Sequence, residues 1–312
     1  MIKLYKGDCL IESDKIKNGS VDLILTDPPY GTVKDIKNVN HGMSGKCDWD
    51  IVIDTDKIMQ IANRILRKNG KMVLFAQQPF TTELINKAIP NLPFNLSMIW
   101  EKDHFANALT AKKSPLNYYE DILIFSKTNE FEGLHPLRPY FKKVFEFIGG
   151  TKKRIIEKIG ERADHVFRFK SSQFDLCTLE TYNYIIKYFA IDKMQGFKDF
   201  DYLQEIDNQF KKKFASTFNL WEGNKYKSNI LKYKKDYDGY HPTQKPILVL
   251  EDLIKTFSNE NDLIVDLTMG SGSTGVAAKN TNRNFIGIEK DENYFKIAEK
   301  RIKETKHQTK LF

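Results

Sequence analysis

The segment Leu25-Thr26-Asp27-Pro28-Pro29-Tyr30-Gly31 completes an apolar run over residues 21–25, so we expect it at the carboxyl end of a strand. Open α/β sheets bind ligands at this end of their strands. The two prolines have fixed φ angles and no N–H donors, which holds the Pro28 carbonyl beside the Asp27 carboxylate and the Tyr30 ring. This arrangement suits the binding of a planar amine. The same residues also fit an ordinary turn after a strand.

Length and composition limit the class of protein. With 312 residues, of which 41% are hydrophobic, the chain can form one large α/β domain or such a domain with an insert. Its apolar runs are far shorter than the roughly 20 residues of a membrane span, so we expect a cytoplasmic protein. Cys9, Cys47 and Cys177 lie far apart, which argues against a disulfide framework and against a metal site.

Another strand is predicted near the start of the chain, before the strand that ends at the proline motif. Residues 2–6 alternate like a strand and stop at Gly7-Asp8-Cys9. Asp8 fits the common role of a helix N-cap, and it also fits an acceptor for the adenine amine of a cofactor. The polar residues 32–50 follow the proline turn and predict either a lid or a loop without fixed structure.

The remainder of the first block alternates between helix and strand patterns. Apolar residues at helical spacing predict helices over residues 56–68 and 81–88, with Asn69-Gly70 as the stop of the first. Strands are predicted over residues 71–76, 94–100 and 121–126.

Residues 130–240 have a different composition. They hold 21 Lys and Arg against 16 Asp and Glu, which gives +5 of the chain's net charge of +8. Aromatic residues are interleaved with the basic ones, namely Phe145, Phe147, Phe167, Phe169, Tyr182, Tyr184, Tyr188 and Phe189. Lysines neutralise phosphates and planar side chains stack on bases, so this composition favours nucleic-acid binding. Any single group of basic residues in this range could instead lie on a solvated helical face. Thr178 is predicted to cap one helix, and a second is predicted over residues 200–214.

The last block carries a nucleotide-binding pattern. His241-Pro242-Thr243-Gln244-Lys245-Pro246 leads into a helix with Leu248, Leu250, Leu253, Ile254 and Phe257 expected inward. A strand then ends at Asp266, and the turn Gly270-Ser271-Gly272-Ser273-Thr274 opens another helix. The next strand ends at Glu289, where an acidic residue can bind both ribose hydroxyls.

Three motifs in this order resemble one family, the amino-group DNA methyltransferases that use S-adenosylmethionine, in the permuted arrangement called beta-class. Asp27-Pro28-Pro29-Tyr30 matches the catalytic motif, and residues 241–246 match the segment before the cofactor motif. Residues 266–274 match the Asp-Pro-Phe-x-Gly-Ser-Gly loop, although Leu267 and Thr268 stand in place of Pro-Phe. The usual aromatic contact to the cofactor is therefore missing from that position.

The resemblance implies a Rossmann-like, doubly wound α/β sheet that is mostly parallel with one antiparallel strand. It divides the chain into a catalytic domain over residues 1–129 and 241–312 and a largely helical target recognition insert over residues 130–240. The catalytic strand ending at Asp27 and the cofactor strand ending at Asp266 should then be neighbours. The implied catalytic residues are Asp27, Pro28, Pro29 and Tyr30. The implied cofactor residues are Asp8, Cys9, Thr243, Lys245, Asp266, Gly270, Ser271, Gly272, Ser273, Thr274 and Glu289.

The implied reaction is methylation of adenine N6 in double-stranded DNA, on a base that has left the duplex. An Asp before Pro-Pro-Tyr usually goes with adenine in this family. N4-cytosine methylation, RNA amine methylation and a non-catalytic DNA-binding relative remain alternatives. The resemblance also makes a homodimer and a cognate restriction endonuclease candidate partners.

Overall fold

The computed structural model describes residues 1–30, 53–106, 111–113, 115–128, 135–171, 173–214, 216–236, 240 and 244–305. The chain divides into two compact units. The larger comprises Met1–Thr128 and Ser216–Phe312, and the smaller comprises Asn129–Ala215. The predicted lid over residues 32–50, Thr243 and Cys47 lie outside the described residues.

The larger unit is built on a single mixed sheet. Its strands in the described ranges are β1 (Ile2–Lys6), β2 (Val21–Thr26), β3 (Leu66–Ala76), β4 (Phe94–Ala106), β5 (Asn117–Ser126), β6 (Ile230–Lys232), β7 (Leu263–Asp266) and β8 (Asn284–Glu289). They are ordered β1-β8-β7-β2-β3-β5-β4-β6 across the sheet. Strand β5 runs antiparallel to its neighbours β3 and β4, whereas the other described pairings are parallel. The predicted mostly parallel sheet with one antiparallel strand is confirmed.

Helices α2 (Thr55–Ile65) and α3 (Phe80–Asn86) cover one face of this sheet, and α8 (Ile247–Phe257), α9 (Ser273–Asn280) and α10 (Glu292–Glu304) cover the other. The helices of the described ranges are α1 (Cys9–Glu12), α2 (Thr55–Ile65), α3 (Phe80–Asn86), α4 (Arg138–Ile148), α5 (Lys152–Ile159), α6 (Leu179–Phe189), α7 (Phe200–Phe214), α8 (Ile247–Phe257), α9 (Ser273–Asn280) and α10 (Glu292–Glu304). Among these helices none is both long and apolar enough to cross a membrane.

Strand β2 shows why the sheet has two cores. Successive side chains of a strand point to opposite faces. Ile24 packs in a core with residues of α2 and α3, whereas Leu23 and Leu25 pack in a core with residues of α8, α9 and α10. All three side chains are fully buried. This double-sided burial confirms the doubly wound α/β prediction.

The order of the strands brings the two predicted motifs together. Strand β7 pairs in parallel with β2, with Leu23 opposite Ile264 and Ile24 opposite Val265. The carboxyl ends of both strands therefore meet at the same edge of the sheet, as predicted. This is the switch point at which doubly wound sheets bind ligands.

Two local predictions in the larger unit were wrong. Helix α2 ends at Ile65 and the chain continues as β3 from Leu66, so Asn69-Gly70 lies within a strand and does not stop the helix. A Cβ at Gly70 would come within 3.1 Å of backbone oxygens of β2, which explains a glycine at this bend. Leu248, expected inward, is 58% exposed, and Val249 takes the buried position in α8.

The smaller unit is helical and has its own core. Thr178 caps α6 by accepting a hydrogen bond from the Thr181 N–H, and the second helix is α7, both as predicted. The core takes many of the aromatic residues proposed for stacking on bases, including the buried Phe167 and Tyr182. Phe147 and Tyr188 are exposed. The aromatic content of this unit therefore serves its packing as well as its surface.

The smaller unit ends earlier than the boundary predicted at residue 240. Residues 216–236 belong to the larger unit, where β6 extends the sheet beside β4. Asn219 donates to the carbonyls of Lys255 and Ser258 at 3.0 Å each, at the end of α8. The basic composition of residues 216–240 masked this boundary in the sequence, because charge does not report strand pairing.

Candidate active site

Four acidic residues lie at or just beyond the carboxyl ends of four consecutive strands. In sheet order they are Asp8 after β1, Glu289 at the end of β8, Asp266 at the end of β7 and Asp27 after β2. Because the four strands are parallel, these residues share one edge of the sheet. Of the sequence-predicted residues, Asp8, Asp27, Asp266 and Glu289 are thus brought to the same edge.

The Asp27 carboxylate is held by two neighbours. Its Oδ1 accepts a hydrogen bond of 2.7 Å from the Tyr30 hydroxyl, and its Oδ2 contacts the Lys245 ammonium. The Tyr30 ring is tilted by 38° against Phe80, with ring centroids 5.6 Å apart. Burial raises the pKa of Asp27, an effect that the Lys245 ammonium opposes. The proline turn therefore presents an oriented acceptor beside an aromatic face.

Lys245 contacts the Asp27 carboxylate. Its Nζ touches Asp27 Oδ2 and lies 3.2 Å from Glu120 Oε2, with the side chain 7% exposed. Burial by itself lowers the pKa of Lys245, but the two carboxylates outweigh burial and hold the pKa above its ordinary value. The group is therefore an ammonium at neutral pH.

Glu120 and Lys102 complete this charge network, and sequence reasoning had assigned them no role. Lys102 Nζ lies 2.6 Å from Glu120 Oε1, and both side chains are nearly buried. Because β5 is the antiparallel strand, its amino end lies at the edge where the parallel strands finish. The sequence carries no local signal for Glu120, because its place at this edge depends on the direction of β5.

The end of β7 is tied to the end of β2 by threonines. Asp266 Oδ1 accepts from the Thr26 hydroxyl at 2.7 Å and from the Thr268 N–H at 3.0 Å. The Thr268 hydroxyl in turn donates to the Asp27 carbonyl at 3.0 Å. Burial raises the pKa of Asp266 to about 6. Thr268, which stands where the resembling family has Phe, thus supplies a polar connection between the two motifs.

The glycine turn after β7 requires glycine for two reasons. Gly270 and Gly272 have φ angles of +51° and +85°, which other residues rarely adopt. A Cβ at Gly272 would also lie 2.9 Å from Ala298 of α10. A Cβ at Gly270 would meet no atom of the described residues within 4 Å. Ser271, Ser273 and Thr274 are buried in the same turn.

Glu289 and Asp8 occupy defined positions beside this turn. Glu289 accepts from the Gly270 N–H at 2.9 Å and from the Asp291 N–H at 2.7 Å, and burial raises its pKa. Asp8 caps α1 by accepting from the Leu10 N–H at 3.0 Å, which is its common role. Both residues therefore have a structural function, whatever they bind in addition.

Cys9 is a buried thiol. It is 4% exposed, and burial raises its pKa to about 12, so it stays a neutral thiol at physiological pH. It packs in the core beneath the strand ends.

The family comparison covers nearly the whole chain. The family model for N6/N4 methyltransferases, described as DNA methylase, matches residues 21–300. The type II methyltransferase M.HindIII of Haemophilus influenzae is 39% identical, over 96% of this chain and 94% of that protein. The DNA adenine methyltransferase YhdJ of Escherichia coli K12 is 26% identical, over 97% of this chain and 83% of that protein.

A solved structure supports the same fold. The crystal structure of the M1.HpyAVI–SAM complex aligns with 97% of this chain and 100% of that one, with a TM-score of 0.52 and 20% identity.

Proposed function

The chain belongs to the DNA methylase family, and from this membership we propose that it transfers a methyl group from S-adenosylmethionine to adenine N6 at a specific DNA sequence. The observation that carries the proposal is the oriented Asp27 carboxylate at the end of β2, on the strand next to the one that leads into the glycine turn.

The proposed cofactor site is the acidic edge around the glycine turn. S-adenosylmethionine supplies the methyl group, which is electrophilic because it is bonded to a positively charged sulfonium. Carboxylates at successive strand ends suit a ligand that carries this charge and an ammonium. No atom of the described residues lies within 4 Å of a Cβ built at Gly270, so a ligand can lie against the backbone there. In this proposal Glu289 binds the ribose hydroxyls and Asp8 accepts from the adenine amine.

The proposed chemistry depends on how the chain holds the target amine. An adenine amine is a weak nucleophile because its lone pair is conjugated with the ring. If Asp27 and the Pro28 carbonyl accept its two N–H bonds, the nitrogen becomes pyramidal and its lone pair becomes available. Tyr30 stacks on the base after it leaves the duplex. Cys9 takes no part as a nucleophile, because its thiol is buried and un-ionised.

Cytosine N4 is the second candidate target. Both amines present two N–H donors, so the carboxylate alone does not separate them. The family model covers N6 and N4 enzymes together. YhdJ, which is named as an adenine enzyme, and Asp27 before Pro-Pro-Tyr support adenine. The intact Asp27 and Tyr30 pair counts against a binding-only relative.

The proposed partners follow from the substrate. DNA is the macromolecular partner, and Asn129–Ala215 is the proposed target recognition unit. The similarity to a type II methyltransferase supports a cognate restriction endonuclease as a further partner. A homodimer and a cytoplasmic location belong to the same proposal.

The test is the identity of the methylated nucleoside. Purified protein is incubated with S-adenosylmethionine and duplex DNA, and the DNA is digested to nucleosides for mass spectrometry. We expect N6-methyladenine. N4-methylcytosine as sole product would transfer the assignment to cytosine, and no methylated nucleoside would support the binding-only alternative.

A further inference from the structure

The Lys245 ammonium has more donors than the described part of the protein satisfies. An ammonium carries three N–H donors. Its contacts with oxygen atoms of the described residues are those to Asp27 Oδ2 and Glu120 Oε2. Buried donors in native proteins almost always have a partner. Within the described residues, one N–H of this buried group is therefore available to a ligand.

The position of this donor relates it to the base. Lys245 Nζ lies 5.8 Å from the centroid of the Tyr30 ring, the proposed stacking surface for the base. It also touches the carboxylate proposed to accept the target amine. An ionised carboxylate has about four acceptor sites, and Tyr30 and Lys245 use one each, so Asp27 retains capacity for the amine. A donor and an acceptor thus lie side by side next to one aromatic face.

We infer that the Lys245 ammonium donates its third N–H to N1 of the target adenine while Asp27 accepts from the N6 amine, an inference that rests on the proposed function. Flipped bases are commonly read on their Watson–Crick edge, where adenine presents an amine donor next to the N1 acceptor. Cytosine presents the same pattern with N3. Guanine and thymine present a carbonyl next to a ring N–H. Their carbonyl would face the Asp27 carboxylate, and their ring N–H would face the Lys245 ammonium, so two acceptors and two donors would oppose each other. The Asp27–Lys245 pair would then select amino bases against keto bases.

Glu120 and Lys102 act as positioning residues in this arrangement. Glu120 Oε2 forms an ion pair with the ammonium at 3.2 Å, and Lys102 Nζ lies 2.6 Å from the other oxygen of Glu120. The alternating charges of Asp27, Lys245, Glu120 and Lys102 balance within the buried network. The ammonium therefore stays protonated, which is the state that a donor to N1 requires.

The experiment compares target bases that differ at one ring atom. Duplexes carry adenine, 1-deazaadenine or 7-deazaadenine at the methylated position, and kcat/KM is measured for wild type and for Lys245→Met. Wild type should methylate 1-deazaadenine at least about tenfold more slowly than 7-deazaadenine, because a charged hydrogen bond is lost. In Lys245→Met this ratio should fall to near one, whatever the remaining rate.

Lys102→Met is the matched control, because it also removes a buried ammonium from the network. It should lower the rate but keep the wild-type ratio between the two analogues. Equal rates on the two analogues with wild type would overturn the inference even if Lys245→Met failed to fold. If wild type instead shows a lower kcat/KM on 7-deazaadenine than on 1-deazaadenine, the assignment of the Lys245 contact to N1 is wrong.

Calorimetry with S-adenosylmethionine tests the alternative that the third N–H of Lys245 binds the cofactor and not the base. If Lys245→Met binds the cofactor at least about tenfold more weakly and keeps the wild-type analogue ratio, the third N–H serves the cofactor and the inference is wrong. If wild type methylates no adenine in unmodified DNA, the proposed function fails before this inference is reached.

Discussion

Asp266 shows at the scale of one residue how a site side chain can serve the fold. Its carboxylate accepts from Thr26 and Thr268, is 3% exposed, and has a pKa raised by burial from an ordinary 3.8 to about 6. A carboxyl with a raised pKa binds its proton more tightly in the folded state than in the unfolded state. Stability from this group is therefore greatest below pH 3.8 and falls as pH rises toward 6.

The Asp266→Asn variant should lose this dependence on pH. Its side-chain carbonyl can still accept from Thr26 and Thr268, but it has no charge to bury. Between pH 4 and pH 8 the free energy of unfolding of Asp266→Asn should improve relative to wild type by about 2 kcal/mol.

Urea unfolding of the cofactor-free proteins at both pH values measures the difference. Substitution of the exposed Asp14 by Asn controls for the replacement of a carboxylate by an amide. If the difference in free energy of unfolding between Asp266→Asn and wild type does not change with pH, burial does not raise the pKa of Asp266.

The sequence predicted which strand ends share an edge of the sheet, but not the side-chain contacts made there. Asp27, Asp266 and Glu289 end apolar runs, and parallel strands bring such ends together, so their common edge was predictable. Lys245 was assigned to the cofactor because it precedes the cofactor motif. Its contact with Asp27 joins residues 218 positions apart, and no local pattern reports such a contact.

At the scale of elements, the direction of β5 places Glu120 near Asp27, and the sequence does not predict this direction. The apolar run over residues 121–126 predicted a strand but not its orientation, and the orientation brings Glu120 to the site. Residues 216–236 were likewise assigned by composition to the insert, although β6 pairs with β4. Strand pairing is a long-range property, and it was the part of the fold that local patterns left open.

The segment carrying β6 should be indispensable to the larger unit. Lys227 Nζ lies 2.6 Å from Asp252 Oδ1 of α8, and both side chains are almost fully buried. The Tyr233 hydroxyl donates to the other Asp252 oxygen at 2.7 Å. Without this segment the Asp252 carboxylate loses Lys227 and Tyr233 and keeps the Thr256 hydroxyl of α8, a loss that costs about 3 to 5 kcal/mol.

Two deletions test this division of the chain. Replacement of residues 129–215 by a Gly/Ser linker should leave a larger unit that folds and binds S-adenosylmethionine. Replacement of residues 130–238 should unfold it. Circular dichroism and calorimetry measure both properties, and a stable, cofactor-binding second deletion would contradict the role given to β6.

At the scale of the whole molecule, the positive charge is shared between the two units. Residues 129–215 hold 16 Lys and Arg against 13 Asp and Glu, which is +3 of the net charge of +8. The larger unit therefore carries the remaining +5. If both units contact DNA, each contributes to the decrease of affinity with salt.

In the proposed function, Asp27 directs methyl transfer to adenine N6 at one DNA sequence. Single-molecule sequencing of DNA from cells that express wild type or Asp27→Ala reports both the modified base and its context. We predict N6-methyladenine within one short sequence for wild type and none for Asp27→Ala, with cofactor binding nearly intact in the purified variant. Modified cytosine, or undiminished adenine methylation by Asp27→Ala, would contradict the account.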